Sequence, residues 1–539
     1  MTGVDLVLHG GTVRTGDAMG TRARALAVHD GRVVALDVDA LALADDAREV
    51  VDLERGALLP AFGDGHVHPL WGGVELAGPQ VRDATSVGEV ADVVRRWVVD
   101  HPAANWVSGG PYDPSLAPNG IFDAEWLDAA VADRPVVLQA TDHHCAWVNT
   151  AALRIAGIDE HTPDPPAATI ARRADGSPMG TLIEWTAMDL VLRHGPPTTA
   201  AEKVDGLAAS TQLLAAAGIT WAQEAALHPD DVAAYLDTER IGRLAIRVDI
   251  ALRAEPGQWP AQRASFAAAR EVADRSAMVS ARTVKFFADG VIEAGTAAML
   301  APYTDRPHSC GLPVWNHDEL AAAAAAFDAD GFRLHIHAIG DAGVRNALDA
   351  VEHVARVNGP SDRRPVVAHS QLIDPADLPR FAQLGVIANV EPLWAQLDPL
   401  QLDLTMPRLG AARSTLQYPF GSLVATGAVL SMGSDWPVSS HRPLDGLAVA
   451  VTRQTRDGEP AQGWLPHERL APATALSAYT AGSAYQSFEE GRRGLLAVGA
   501  RADLVWLQHD PLATPAPDWP AITVRGTWLG GARTADAAA

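Results

Sequence analysis

Short apolar runs alternate with helical stretches through the middle of the chain. The runs have the length and the apolar, β-branched content of buried strands. Strands that alternate with helices form a parallel sheet covered by helices, and eight of them can close into a barrel. The pattern therefore predicts an α/β fold built on a (β/α)8 barrel of the TIM type. The eight strand candidates are residues 59–68, 219–224, 246–252, 283–288, 334–338, 365–370, 386–391 and 429–435, and helical periodicity lies between several of them at residues 202–217, 319–329 and 341–357.

The two ends of the chain differ from the middle, because short β-rich runs there are separated by Gly and Asp turns. Residues 1–56 and residues 486–539 both show this hairpin pattern. Since chain termini commonly lie close together at a protein surface, we expect the two ends to pair into one small β-sandwich domain. The barrel then comprises its first strand, within residues 57–71, and residues 201–485.

About 150 residues separate the first and second strand candidates, far more than a single crossover connection needs. This interval contains a strand-like run, RPVVLQAT, and a Pro-rich loop, TPDPPAAT. We therefore predict an inserted subdomain at residues 72–200, placed over one mouth of the barrel.

Composition and charge limit the classes of molecule that the protein is expected to bind. Lys and Arg total 42 against 66 Asp and Glu, a formal net charge of −24, so the clustered positive charge that binds nucleic acid is not expected. The 539 residues include only two cysteines, which fits a reducing compartment. The chain begins without the pattern of an export signal and has no apolar run of membrane-spanning length. These features predict a cytoplasmic protein with no membrane partner, and they leave the oligomeric state open, a homodimer included.

The first candidate for chemistry is Gly-His-Val-His, which places His66 and His68 at the end of the first strand candidate. Residues two apart on a strand face the same side, so both imidazoles can approach one metal ion. Because such a pair also occurs by accident in loops, this motif alone is a weak signal.

Four further ligand-type residues strengthen it, because each falls toward the end of another strand candidate. They are Lys285, His337, His369 and Asp435. The carboxyl ends of barrel strands converge on one face, where active sites of this architecture lie. His335 shares a strand face with His337 one layer deeper, and a structural role suits it.

Lys285 is unusual because Lys203 is the only other lysine in the chain. An ammonium is costly to bury among ligands for a cation. Carbamylation by CO2 would turn the amine into a carboxylate-like group that can bridge two ions, which Arg cannot imitate. Asp435 can both hold a metal and accept a proton from water, although an Asp after a strand also often caps the next helix.

The chain resembles the amidohydrolase superfamily over nearly its whole length, and within it the family 3 or YtcJ-like branch, which includes N-substituted formamide deformylases. The resemblance lies in the order and spacing of several segments. They are LPAFGDGHVHP, DHHCAWVNTAAL, TVKFFADGVIEAGTA, LHIHAIGDAGV, VAHSQLI, GSDWPVSSHRPL and GARADLVWL.

The resemblance implies that the six residues named above form the metal set, with carbamylated Lys285 as the bridge between two divalent ions, for which zinc is the favoured identity. It also implies that His144 reaches the substrate from the insertion and stabilises the developing oxyanion. His143 stands where a small residue is common in the family, so either histidine could point inward. Two more departures from the family pattern are Glu224, where Asp is more frequent, and Leu393-Trp394, where a polar residue or His is frequent.

The expected reaction is hydrolysis of a C–N bond in a small-molecule amide, N-acyl or N-formyl compound by a metal-activated hydroxide, with Asp435 moving the proton to the leaving nitrogen. A cyclic-amide hydrolase, a mononuclear deaminase-type enzyme that would not need Lys285, and a non-catalytic barrel protein are the alternatives. Further residues expected to contact the substrate are His143, Trp147, Glu184, Asp289, Trp394 and Trp436.

Overall fold

The computed structural model of the chain describes residues 3–536, and its centre is a sheet of eight parallel strands that follow one another in chain order. Each strand candidate of the middle region overlaps one of them, so the barrel strands predicted from the sequence are confirmed, with bounds that differ by up to four residues. The barrel strands are Phe62–Val67, Ile219–Leu227, Arg247–Arg253, Val279–Phe287, Arg333–Ala338, Val366–His369, Ile387–Val390 and Val429–Met432.

The first and eighth barrel strands meet at their carboxyl ends, which brings the sheet close to a closed barrel. The amide of Asp435 donates to the carbonyl of His66 at 2.7 Å, and the amide of His68 donates to the carbonyl of Trp436 at 2.8 Å. The buried carboxylate of Asp64 accepts hydrogen bonds from the amide and hydroxyl groups of Ser434. The edge where a metal site was predicted is therefore fixed by hydrogen bonds between strands that are far apart in sequence.

Helices cover the outside of the barrel because each has an apolar stripe facing the strands. In the helix Asp341–Asn358, the buried residues Val344, Ala347, Leu348 and Val351 recur at helical spacing. The three helices predicted from periodicity are confirmed. The helices that follow the barrel strands are Ala200–Ala216, Val232–Arg240, Trp259–Ala273, His317–Ala329, Asp341–Asn358, Leu378–Leu384, Phe420–Ala425 and Pro443–Thr452, with Pro69–Glu75, Met406–Ser414, Pro472–Ser477 and Ser483–Gln486 beside them.

The two ends of the chain contribute to a second sheet of eight strands. The strand Leu504–Leu507 pairs antiparallel with Ala57–Pro60, and this strand pairs parallel with Leu6–Arg14. The apolar run that begins at residue 57 is thus divided between two sheets, since Ala57–Pro60 joins the terminal sheet and Phe62–Val67 joins the barrel. The remaining strands of the terminal sheet are Arg22–His29, Arg32–Leu36, Glu49–Asp52, Val524–Leu529 and Ala532–Asp536, and a short helix, Asp37–Leu41, packs beside them.

A third sheet, of five strands, lies within the long interval between the first two barrel strands. His143 and His144 lie in the turn between its strands Val136–Ala140 and Cys145–Val148. The other elements of this interval are the strands Val107–Tyr112, Thr169–Arg172 and Pro178–Ile183 and the helices Val87–Asp100, Ala124–Asp128, Thr150–Ala156 and Trp185–Leu192. Across residues 3–536, every helix is too short or too polar to cross a lipid bilayer.

Candidate metal centre

The six side chains predicted as metal ligands are all buried and line one cavity of about 630 Å³. They lie at or just beyond the carboxyl ends of five different barrel strands, because each ends a run of apolar residues that forms a strand. The structure thus brings together positions that are far apart in the sequence. The six residues are His66, His68, Lys285, His337, His369 and Asp435.

The closest group consists of His66, His369 and Asp435, which can each offer one ligand atom so that the three atoms lie within 4.8 Å of one another. Nε2 of His68 is 3.2 Å from Oδ1 of Asp435. The Nζ atom of Lys285 is 3.3 Å from Nε2 of His66. Three imidazoles, one carboxylate and one amine therefore lie close together at the strand ends.

This set of side chains fits a divalent cation. Oδ1 of Asp435 is buried without a hydrogen-bond partner, although buried polar atoms are nearly always paired. Its near neighbours are Nε2 of His68 and, at 3.6 Å, Nε2 of His66. Imidazole nitrogens and carboxylate oxygens are common ligands of zinc and related ions, so a cation here would satisfy the unpaired oxygen.

Neighbouring polar groups leave one nitrogen of each histidine available. Nδ1 of His369 lies 2.9 Å from Glu391 and Nδ1 of His66 lies 2.8 Å from His335. Nε2 of His337 lies 3.2 Å from the carbonyl of Gly290. Outer partners of this kind fix the tautomer and orientation of a metal-binding imidazole.

Glu391 was missed in the sequence, although it ends the seventh strand candidate and could have been noticed as a strand-end carboxylate. Glu224, where the sequence departs from the family pattern, lies 3.4 Å from Nδ1 of His68 and accepts hydrogen bonds from Tyr235 and from the amide of Leu70. Glu391 and Glu224 therefore lie beside two of the predicted ligand histidines and do not line the cavity.

The amine of Lys285 is completely buried, and burial lowers its pKa to about 7 against the opposing charges of Asp435 and Glu391. A neutral amine is thus accessible near neutral pH. This is the form that a reaction with CO2 requires, because a protonated amine has no free electron pair.

His144 projects into the same cavity from the inserted region and lies 2.8 Å from the carboxylate of Glu184 through Nδ1. Burial by itself would lower the pKa of His144, but the charge and hydrogen bond of Glu184 raise it to about 9. His143 also lines the cavity, and its Nε2 lies 3.5 Å from Glu75. Burial, together with the charges of His68 and Arg82, lowers the pKa of His143 to about 3. The cationic histidine of the pair is therefore His144.

Of the three tryptophans expected to contact the substrate, two line the cavity and one is buried in a separate core. Trp394 and Trp436 line the cavity, and Trp394 stacks on the ring of His369 at 5.2 Å. Trp147, by contrast, is fully buried in the core of the inserted region and donates to the carbonyl of Asp123, because its strand turns that side chain away from the cavity.

Asp289, which was also expected to contact the substrate, is bonded to the protein backbone. Its carboxylate accepts hydrogen bonds from the amides of Ala298, Ile339 and Gly340. It also lies 3.7 Å from Nε2 of His337, and its three backbone hydrogen bonds hold the loops beside this histidine.

Several residues of the site have backbone conformations that L side chains rarely adopt. The φ angles are 71° at His369, 51° at Asp435, 54° at His143 and 69° at Glu184. Such conformations cost energy and persist where the surrounding structure enforces them, often at functional sites. Three of these residues, His369, Asp435 and His143, line the cavity, and Glu184 holds the ring of His144.

A parallel barrel with histidines and a carboxylate gathered at the strand ends is the arrangement of a metal-dependent hydrolase. A sequence profile described as the amidohydrolase family matches residues 49–535. The chain therefore belongs to the amidohydrolase family, as its motifs predicted.

Three relatives extend over nearly the whole chain. Protein LONG AFTER FAR-RED 3 of Arabidopsis thaliana is 30% identical over 98% of this chain and 91% of its own length. The putative amidohydrolase YtcJ of Bacillus subtilis is 27% identical over 97% and 98%, and the N-substituted formamide deformylase of Arthrobacter pascens is 25% identical over 98% and 97%. Among solved structures, an uncharacterized metal-dependent hydrolase from Pyrococcus furiosus has a TM-score of 0.72 at 24% identity, covering 94% of this chain and 99% of its own.

Proposed function

We propose that this protein hydrolyses a C–N bond of a small-molecule amide, N-acyl or N-formyl compound at the cavity formed by the strand-end histidines. The observation that carries the proposal is the approach of His66, His369 and Asp435 to within 4.8 Å, with Lys285 beside them. The printed name of one relative, an N-substituted formamide deformylase, supports the bond class.

Divalent ions held by these residues would supply Lewis-acid chemistry, since they lower the pKa of water and polarise a carbonyl oxygen. Asp435 is the residue of this chain best suited to move the proton. It lines the cavity, and its buried Oδ1 atom has no hydrogen-bond partner and lies 3.2 Å from Nε2 of His68. We infer that it accepts a proton from the attacking water and delivers it to the leaving nitrogen.

Lys285 would serve the site as a carbamate. The electron pair of its neutral amine would attack the carbon of CO2, so that a C–N bond forms while one C=O π bond breaks and its electrons move to oxygen; the nitrogen then loses one proton to solvent, which leaves two oxygens sharing one negative charge. This change would remove the cost of a buried ammonium beside His66 and would provide an anionic ligand able to serve two ions. The proposal therefore includes two divalent ions, with zinc as the preferred identity for a histidine-rich site.

His144 would act on the substrate. Its cationic ring, held by Glu184, lies 5.5 Å from the ring of His337 between centroids. A fixed positive charge at this distance from the ligands can stabilise the negative charge that develops on a carbonyl oxygen during attack.

The test is a hydrolysis screen of the purified protein after metal removal and reconstitution with zinc, over N-formyl, N-acyl and cyclic amides. We expect turnover of at least one class, and a loss of about 10²- to 10⁴-fold in Asp435→Asn, the range attributed to a positioned acid and base. Glu352→Gln, a change on the exposed face of a barrel helix, is the control and should retain activity.

Metal content per chain separates this proposal from a mononuclear, deaminase-type reaction. Full activity with one tightly held ion would favour the mononuclear alternative. Absence of turnover throughout the panel, or unchanged turnover in Asp435→Asn, would overturn the proposal.

A further inference from the structure

Part of the cavity wall carries carboxylates that the proposed hydrolysis does not use. We call this group the acidic end, and its members all line the cavity outside the strand-end ligands. They are Asp113, Asp142, Glu293 and Asp398.

Two pairs within the acidic end influence each other's ionisation. Burial first, and then the charge of Asp142, raises the pKa of Glu293, and the charge of Asp113 likewise adds to the effect of burial on Asp398. Both Glu293 and Asp398 act on the buried hydroxyl of Tyr418. The backbone amide of Gln401 donates to Oδ1 of Asp398 at 2.9 Å, which places Asp398 beside Gln401 and Tyr418.

The nearby cations are already paired with other carboxylates. His144, which attracts Asp142, is bonded to Glu184 at 2.8 Å. Arg408 lies behind Glu293, where its Nε donates to the backbone carbonyl of Glu293, and its guanidinium lies 3.3 Å from Asp305. These two cations are thus already paired, while burial raises the pKa of Asp142 and Asp398 to about 6 and that of Glu293 to about 7, so a bound cation would favour their ionised forms.

An independent observation comes from Gln401, which lines the same part of the cavity and is only 2% exposed. Its Nε2 donates to the hydroxyl of Tyr418 at 3.1 Å, while its Oε1 is buried with no hydrogen-bond partner. An unpaired buried acceptor is costly. The side chains around it offer further acceptors, so what is missing here is a hydrogen-bond donor.

The arrangement of the carboxylates at the acidic end disfavours a metal ion as the missing partner of Gln401 Oε1. Among residues 3–536, no three residues of the acidic end bring ligand atoms within 4.8 Å of one another, as His66, His369 and Asp435 do. Calcium and magnesium need several oxygens at about 2.0–2.6 Å. Dispersed carboxylates and an amide oxygen suit a larger cation with several N–H groups, such as an ammonium or a guanidinium.

The cavity also contains a cation, Arg82, which is held by other groups. It donates to the backbone carbonyls of Pro437 and Val438, and the charge of Glu75 acts on it. Because Arg82 is paired with these groups, it does not neutralise the carboxylates of the acidic end.

We propose that the acidic end binds a cationic group of the substrate, an ammonium or guanidinium, while the scissile amide lies at the strand-end histidines. This inference rests on the proposed amide hydrolysis and adds the substrate class. Glu293 and Asp398 provide the charge, and Oε1 of Gln401 accepts one N–H. Charge complementarity in a buried cavity would favour such compounds over neutral ones of the same size.

The test is equilibrium binding to the zinc-loaded protein, measured by calorimetry with two sulfonamides that are not amide substrates. N-(4-aminobutyl)methanesulfonamide carries the cation, and N-pentylmethanesulfonamide has a methyl group in place of the ammonium. We expect the cationic probe to bind at least about 10-fold more tightly, the effect of one charge-assisted hydrogen bond. The ratio should approach one in Glu293→Gln and fall in Asp398→Asn.

Glu352→Gln removes the same charge from an exposed position and should keep the parent ratio. Equal binding of the two probes by the parent protein, or an unchanged ratio in both cavity variants, would overturn the inference. Because the probes are not hydrolysed, a binding preference without amide turnover would refute the proposed reaction and keep the subsite. Amide turnover without a preference would do the reverse.

Discussion

Nε2 of His335 lies 2.8 Å from Nδ1 of His66, and both rings are buried inside the barrel. If Nε2 of His66 binds a cation, its Nδ1 carries the proton and donates it to His335. The deeper histidine of the fifth strand thus determines which nitrogen of His66 faces the cavity, and His335 is a positioning residue.

We expect His335→Phe to weaken metal binding by about 10- to 100-fold, the usual effect of removing an outer partner. Phe keeps a similar volume in the core but cannot accept the proton of His66. Competition with a chelating dye measures the affinity. His335→Asn restores a polar group and should recover part of it, whereas unchanged affinity in the Phe variant would contradict the positioning role.

Lys285→Arg tests the carbamate directly, because a guanidinium stays protonated and cannot form one. We expect fewer metal ions per chain by elemental analysis and a loss in kcat/KM of more than about 100-fold, beyond the range of outer partners. The chain supplies its own control, since Lys203 is the only other lysine and forms a partly exposed ion pair with Asp231. Lys203→Arg should leave both measurements unchanged, and retention of metal and turnover by Lys285→Arg would refute the bridge.

The pKa of about 9 at His144 predicts a pH dependence of stability in the metal-free protein. Because this folded-state pKa is above the unfolded value of 6.5, the cation stabilises the fold fully below about pH 6.5. The contribution, on the order of 3 kcal/mol, is lost as the pH rises through about 9.

In Glu184→Gln, burial should dominate and bring the pKa of His144 below 6.5. Imidazole proton NMR follows the titration, and chemical denaturation at pH 6 and pH 9.5 follows the stability. The exposed pair His161 and Glu160 provides the control, since Glu160→Gln should have little effect on either. A parent protein in which His144 titrates near 6.5 would contradict the expectation.

The helix Pro69–Glu75 begins directly after His68 and packs closely against Ala200–Ala216. A Cβ atom at Gly73 would lie 2.3 Å from the carbonyl oxygen of Gly206. We expect Gly73→Ala to lower the free energy of unfolding by about 1–3 kcal/mol through overpacking and to weaken metal binding by moving His68.

Gly88 is the matched position, because it lies in the helix Val87–Asp100 and an added Cβ would meet only the Ser86 hydroxyl at 4.0 Å. Gly88→Ala should raise the stability by up to about 1 kcal/mol, since Ala favours helix. Thermal denaturation of both variants checks the pair, and equal effects would show that the contact with Gly206 has little importance.

The sequence alone determined the barrel, because strands buried on both faces appear as apolar runs that helices separate. It also determined the positions of His66, His68, Lys285, His337, His369 and Asp435, since residues at the end of each run lie on one face of a barrel. The same logic applied to Glu391, which ends the seventh run and was overlooked.

Only the tertiary structure decided which neighbouring polar and aromatic groups face the cavity. Trp147 and Trp394 are equally suited by residue type to bind a substrate, yet one packs in a core and the other stacks on His369. Likewise, the pairing of His144 with Glu184 and the assembly of the acidic end depend on loops from separate parts of the chain. The local sequence pattern shows which residues lie at the end of a strand. The position of a loop side chain, by contrast, depends on packing between segments that are distant in the sequence.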